Sequence, residues 1–194
     1  MMPRGHLFVL SAPSGTGKST LIDRAVREIP DIWHSISGTT RKPRDYEKEG
    51  VHYFFMERNA FKKSIDEDLF LEWAEVHGEF YGTPSDAVDD HLDKGENVIM
   101  DLDVQGAIQV KGRRPETQLI FIMPPSLEVL RQRIETRRTE TGAAIQRRLS
   151  IAEKEMDHRD QFDFVIVNDE LDKALLELKS ILRGGVNPDE GVAT

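Results

Sequence analysis

Apolar residues along this chain fall into short unbroken runs and into longer stretches spaced at helical intervals. Leu7-Phe8-Val9-Leu10 is unbroken, as are Val98-Ile99-Met100, Leu119-Ile120-Phe121-Ile122-Met123 and Phe164-Val165-Ile166-Val167. Runs of this kind, apolar on both faces, predict buried strands of a parallel sheet. Helical spacings lie between them. Leu21, Ile22, Ala25, Val26 and Ile29 predict a helix from about Ser19 that stops at Pro30, which has no N–H to continue it. Val88 and Leu92 predict another, with Thr83 as its N-cap, Pro84 in its first turn and Gly95 closing it. Ser126 caps a helix carrying Leu127, Leu130 and Ile134, a further one runs from about Ala143 to His158, and a last carries Leu171, Ala174, Leu175, Leu178 and Leu182. The tail beyond Gly184 shows no such pattern.

The rhythm breaks between about Gly38 and Asp86. A polar, strand-prone stretch over 31–56 ends in Val51-His52-Tyr53-Phe54-Phe55. A short helical pattern follows at Ala60, Phe61 and Ile65, then an aromatic-rich piece from Phe70-Leu71-Glu72-Trp73 to Phe80-Tyr81-Gly82. We read this region as an insertion that forms a substrate lobe on an α/β core, whose parallel sheet is covered on both faces. Ligands of such sheets bind beyond the carboxyl ends of the strands, so Asp101 and Asp103 belong on that rim.

Composition narrows the class. A chain of 194 residues fits one domain with inserted lobes. A net charge of −9 argues against a nucleic-acid binder, whose footprint would be basic. Without cysteine there are no disulfides or thiolate metal sites, and the six histidines show no metal-ligand spacing. The N-terminus is too short and polar before Leu7 for a signal peptide, and no apolar run approaches ~20 residues. The expectation is a cytoplasmic protein with no membrane partner; monomer and homo-oligomer both stay open.

The densest chemistry follows the first predicted strand. Ala12-Pro13-Ser14-Gly15-Thr16-Gly17-Lys18-Ser19-Thr20 has the phosphate-binding-loop pattern, with Ala12 in place of the first glycine. Gly15 and Gly17 let the backbone curl its N–H groups around phosphate oxygens, and the following helix adds the positive end of its dipole. Lys18 can reach the β- and γ-phosphates, and Ser19 can offer its hydroxyl to Mg²⁺. Strand, glycine-rich turn and helix together imply nucleotide phosphate without naming a reaction. Arg41 and Arg44, separated by Lys42-Pro43, give two forks suited to phosphate oxygens, and Tyr53 and Tyr81 can donate to the same group.

Several stretches in order carry a resemblance: Ser35-Ile36-Ser37, Thr39-Thr40-Arg41, Pro43-Arg44, Glu47, Gly50, Tyr53, Glu72-Trp73, Tyr81-Gly82-Thr83-Pro84, Asp101-Leu102-Asp103-Val104-Gln105-Gly106-Ala107 and Val167-Asn168-Asp169. Over roughly residues 7 to 182 the chain resembles guanylate kinases, which move the γ-phosphoryl of ATP to GMP. The resemblance implies a P-loop three-layer α/β/α core with a parallel sheet (1–37, 87–126 and 160–184), an inserted GMP-binding lobe (38–86), a helical lid (127–159) and a flexible tail (185–194). It implies ATP bound by the loop and by Asn168 at the adenine, with Mg²⁺ on Ser19 and Asp101 behind it. It places GMP against Ser37, Arg41, Arg44, Glu47, Tyr53, Glu72, Tyr81, Thr83, Asp101 and Asp103. Guanine presents N–H donors and an O6 acceptor, so carboxylates at Glu72 and Asp103 with hydroxyls at Ser37 and Thr83 suit it, and suit adenine poorly.

Catalytic charge would come from Lys18, Arg41 and Arg44 and from lid arginines at Arg133, Arg137 and Arg148, within a cluster that also holds Arg131, Arg138 and Arg147. Departures from the family pattern are Tyr46, where a glycine commonly precedes the glutamate, Arg138 at a frequent glycine position, and Gly142-Ala143 where acids are usual. Two other readings are a guanylate-kinase-like interaction module without catalysis and a small kinase acting on a ribose bisphosphate. An intact Lys18 and Ser19 oppose the first, and the combination of Glu72, Thr83 and Asp103 opposes the second.

Overall fold

All of β1 (Leu7–Ser11) is buried, because its side chains point alternately into two separate cores. The computed structural model describes residues 3–136 and 142–184. Along the chain follow α1 (Lys18–Glu28), β2 (Ile32–His34), β3 (Gly38–Thr39), β4 (Phe54–Phe55), α2 (Arg58–Asp66), β5 (Phe70–Val76), β6 (Glu79–Pro84) and α3 (Ser85–Asp93). Then come β7 (Asn97–Asp101), α4 (Val104–Arg113), β8 (Gln118–Met123), α5 (Leu127–Thr136), α6 (Gly142–Met156), β9 (Phe164–Val167) and α7 (Leu171–Gly184).

A five-stranded sheet runs in the order β2-β7-β1-β8-β9, every pair parallel. On one face Phe8, Leu10, Ile99, Ile120 and Ile166 meet Leu21, Ile22 and Ala25 of α1 and Leu175, Leu178 and Leu182 of α7. On the other, Val9, Val98, Met100 and Phe121 meet Val88 and Leu92 of α3 and Val104, Ala107 and Val110 of α4. Each large side chain buried here contributes roughly 1.5–3 kcal/mol. This is the doubly covered sheet that the unbroken apolar runs predict.

The region over 38–84 builds a second sheet in the order β4-β3-β6-β5, with β3 parallel to β4 and the other pairs antiparallel. Its own small core stacks Phe61 on Phe70 at 4.4 Å and on Phe80 at 5.5 Å between ring centroids. The register of β5 against β6 shifts between Phe70 and Glu72. Across that bulge Phe70 joins the small core and Leu71 joins the main one, while Glu72 is left facing a polar cavity.

Local expectation and structure part at several places. Thr83 does not cap α3: it stays in β6, opposite Glu72, and the helix starts at Ser85 with extended Pro84 at the N-cap position. The ladder to β5 outcompetes a helical turn there. Only Phe54–Phe55 of the expected strand ending is strand, since His52 N–H donates to Lys48 O at 3.1 Å and folds the preceding residues into a turn. Within the strand-prone stretch β2 is a three-residue edge strand with half-buried side chains. The helix α4 escapes the sequence reading: it is announced only by Val104, Ala107 and Val110, with Asp103 as N-cap accepting from Gly106 N–H at 2.8 Å. Arg137, Arg138 and the tail over 185–194, for which the sequence raises expectations, lie outside the described residues. Among the described residues no helix is long and apolar enough to cross a membrane.

Candidate active site

The loop after β1 is shaped by two left-handed glycines, Gly15 at φ 94° and Gly17 at φ 100°. Gly17 is also the N-cap of α1, whose first turn carries no side-chain cap, so its N–H groups face outward. A Cβ on Gly17 would stand 2.6 Å from Asn168 Nδ2, so any side chain here strains the left-handed backbone and must displace Asn168. Buried Thr16 braces the turn by donating from Oγ1 to Pro13 O at 2.6 Å. The Thr16 carbonyl in turn accepts from Asn168 Nδ2 at 2.7 Å and from Arg133 Nη1 at 3.4 Å. Lys18 leans across to the end of β7, donating to Leu102 O at 3.0 Å and pairing with Asp101. From α6, Arg148 Nη2 donates to Ser14 Oγ at 2.7 Å.

Cavities open on both sides of this loop. One, of about 360 Å³, is lined by Ala12, Pro13, Ser14, Lys18, Ser19, Thr20, Asp101 and Glu155. The other, of about 440 Å³, is lined by Gly15, Gly17, Thr20, Arg133, Thr136, Asn168, Asp169 and Leu171. Asn168 is 4% exposed, and its buried Oδ1 has no partner among the described residues. An acceptor left in that state calls for a donor from whatever enters.

Across the rim, Arg41 forks onto Glu47 at 3.0 and 2.8 Å and also donates to Lys42 O at 2.8 Å. Its guanidinium lies over the Tyr53 ring at 5.5 Å, and Tyr53 meets Tyr81 edge-on at 6.0 Å. The Arg41 fork, with the Arg44 backbone N–H at 2.7 Å, pulls the Glu47 carboxyl down to about 2. Arg44 itself is exposed and donates from Nη1 to Tyr46 Oη at 3.0 Å.

A third cavity, of about 180 Å³, lies between the two sheets. Ser37, Tyr53, Glu72, Tyr81, Asp101, Asp103, Gln105 and Gln109 line it. Thr83 Oγ1 donates to Glu72 Oε1 at 2.8 Å and stands 3.2 Å from Ser37 Oγ. Since the Thr83 hydrogen is committed to Glu72, Ser37 is the donor in that second bond, and a relay runs from Ser37 to Thr83 to Glu72. Burial pushes the Glu72 carboxyl up to about 7, the nearby Asp103 charge adds to the rise, and the Thr83 bond opposes it.

Chemically, an anion-binding loop with a lysine stands beside a polar cavity suited to a ligand rich in N–H donors, and Asp101 lines the cavities on both sides of that divide. Among the described residues no group of three or more His, Cys, Asp or Glu could hold a metal ion. The Ser19 hydroxyl with the carboxylates of Asp101 and Glu155 nonetheless offers oxygen donors on one cavity. That set fits Mg²⁺, which keeps several waters and is held by one or two protein oxygens plus phosphate.

The sequence model of the family described as guanylate kinase matches residues 4–184. The chain belongs to the guanylate kinase family. It is 47% identical over 178 residues to a guanylate kinase of Desulfitobacterium hafniense (strain Y51), covering 92% of this chain and 89% of that one. Among solved structures it is similar to guanylate kinase from Anaplasma phagocytophilum, with TM-score 0.71 and 35% identity over 95% of this chain and 87% of that one. A shikimate kinase from Bacteroides thetaiotaomicron, 14% identical at TM-score 0.51 over 92% and 98% of the respective chains, shares the fold alone.

Set against the guanylate kinase pattern, the loop residues, Asp101, Asp103, Glu72, Thr83, Ser37, Tyr53 and Tyr81 come together on one rim. Arg41 is there too, but its fork is occupied by Glu47. Arg133 lines the cavity beside Gly15 and Gly17, and its guanidinium braces backbone there, donating to Asn168 O at 2.9 Å and Asp169 O at 3.3 Å. Glu155, Gln105 and Gln109 line the cavities without having been given a role from sequence. The first two glutamine and glutamate positions differ in signal: Gln105 sits inside the stretch 101–107 that carries the resemblance, whereas Glu155 lies in a helix whose polar positions look alike.

Proposed function

We propose that ATP lies along Ala12–Thr20 with its adenine toward Asn168, and that GMP lies between the two sheets, its phosphate near Arg41 and Arg44 and its base at Glu72. The reaction, ATP-dependent phosphorylation of GMP to GDP, is that of the family to which the chain belongs. The single observation that carries the arrangement is Asp101: it pairs with Lys18 of the phosphate loop and also lines the cavity of Glu72, so the two nucleotides would meet end to end beside it.

The phosphate loop and Lys18 hold the β- and γ-phosphates, while Arg41, Arg44, Arg133, Arg137 and Arg148 gather charge around the transferring group. Arg133 acts from its brace on Thr16 and Asn168, holding the adenine side of the loop in shape. The GMP phosphate attacks as an anion, so no side chain need remove a proton. Ser19, with Asp101 in support, would hold Mg²⁺, which would supply neutralisation of the phosphate charge. Glu72 and Asp103 accept from the guanine N–H groups, while the Ser37 hydroxyl turns from Thr83 to donate to O6 and Thr83 keeps its hydrogen on Glu72. Glu47 holds Arg41 in place, and Tyr53 and Tyr81 wall the phosphate end. By the family resemblance dGMP is proposed as a second acceptor. The core, the lobe over 38–86 and the lid over 127–159 act as separate moving parts. The setting is purine nucleotide metabolism in the cytoplasm, without nucleic-acid or membrane partners.

A coupled assay offering GMP, dGMP, AMP, CMP and UMP with ATP and Mg²⁺ tests the assignment. Turnover of GMP and dGMP is expected, and equal turnover of AMP overturns the base reading. Lys18→Ala, with an unchanged circular dichroism spectrum, lowers the rate by roughly a thousandfold; full activity in that variant overturns the loop assignment.

A further inference from the structure

We propose that Tyr46 is a positioning residue that sets the Arg44 guanidinium for the phosphate of GMP, an inference that rests on the phosphate site proposed above. The two arginines of that site stand in different states. Both terminal nitrogens of Arg41 are engaged by Glu47, and Nη1 is shared with Lys42 O. Arg44 instead keeps Nε and Nη2 for an incoming oxygen pair, because its side chain bonds only through Nη1, to Tyr46 Oη at 3.0 Å, among the described residues.

That contact stands on a built support. The Tyr46 ring meets the His52 ring edge-on, centroids 6.2 Å apart and planes at 79°. His52 is fixed in turn, its Nδ1 accepting from Lys48 N–H at 3.1 Å and its own N–H donating to Lys48 O at 3.1 Å. At the other end of the arginine, the Arg44 backbone N–H is tied to Glu47 Oε2 at 2.7 Å. Arg44 is therefore held at both its backbone and its head in an otherwise exposed loop. A long, rotamer-rich side chain loses freedom when it binds, and ordering it beforehand removes that cost from the binding step. A glycine at position 46 would leave the head of Arg44 unheld, so an exposed tyrosine here supplies an ordering contact that a glycine lacks.

The test measures KM for GMP at saturating ATP for the whole chain, Tyr46→Phe, Arg44→Ala and the double variant. Tyr46→Phe keeps the ring on His52 and removes only the hydroxyl. One charge-assisted bond predicts a rise of about three- to tenfold in KM for GMP, with kcat and KM for ATP moving less than about twofold. Arg44→Ala raises KM for GMP by about thirtyfold, and Tyr46→Phe adds nothing in that background. The inference is overturned if Tyr46→Phe leaves KM for GMP where it was, if kcat falls with it, or if its effect persists undiminished without Arg44. An Arg44→Ala variant that binds GMP normally removes the phosphate site itself, an outcome distinct from a silent Tyr46→Phe beside a damaging Arg44→Ala.

Discussion

Glu72 is an acid that folding has moved into the middle of the physiological range. It is 6% exposed, and burial raises its carboxyl to about 7. Only the ionised form offers acceptors on both oxygens to guanine N–H groups. Between pH 8 and pH 6 KM for GMP should therefore rise by about tenfold in the wild type, relative to Glu72→Gln, whose side chain does not titrate. Taking the ratio of the two proteins cancels the titration of GMP itself; a flat ratio removes Glu72 from base recognition. Stability runs the other way. The folded carboxyl sits above its ordinary value of 4.5, so its contribution is complete below 4.5 and is lost as pH rises through about 7. Thermal melts should show Glu72→Gln gaining on the wild type from pH 5 to pH 8, by an amount on the order of 2–3 kcal/mol. A difference that does not change with pH would rule out this titration.

At the scale of elements, the junction of the phosphate loop with α1, β9 and α5 concentrates most of the geometric demand. Gly17 is left-handed with Asn168 in the space a side chain would need, Asn168 and Arg133 both bond the Thr16 carbonyl, and a Cβ on Gly15 would stand 3.2 and 3.3 Å from Ile134 and Leu130 of α5. Gly17→Ala must strain the backbone and push Asn168 off Thr16 together. The expected result is a loss on the order of 1–2 kcal/mol in stability and a larger rise in KM for ATP than for GMP. Equal effects on both substrates would mean that Asn168 does not serve the adenine side. The phosphate loop was legible in the sequence because its chemistry is carried by consecutive residues. The brace around it was not, since Arg133 and Asn168 lie far along the chain and meet Thr16 only after β8 and β9 have paired beside β1.

On the scale of the whole molecule, the cavities of about 440, 360 and 180 Å³ run from the Asn168 side of the loop to the gap between the sheets, the first two sharing Gly15, Gly17 and Thr20 and the last two sharing Asp101. Phosphoryl transfer there requires water to be shut out, so the lobe and lid should close over the nucleotides. Small-angle scattering should show the radius of gyration falling by about 1 Å from about 16 Å, the value for a compact chain of this length, when GMP and a non-hydrolysable ATP analogue bind together. An unchanged radius with both ligands bound would mean that the site is shaped beforehand and that the described lobes do not move.

By itself the sequence determined the parallel core, the phosphate loop and the family, because unbroken apolar runs, glycine spacing and motif order are properties of neighbours along the chain. It also placed Glu72, Thr83 and Asp103 among the candidate base readers. Tertiary structure alone decided their states: the bulge that turns Glu72 toward the cavity, the relay that spends the Thr83 hydrogen on it, the Glu47 carboxylate that occupies Arg41, and the start of α3 at Ser85. These depend on distances between residues that share no local pattern, and burial and charge take their effect only once the chain has brought such residues together.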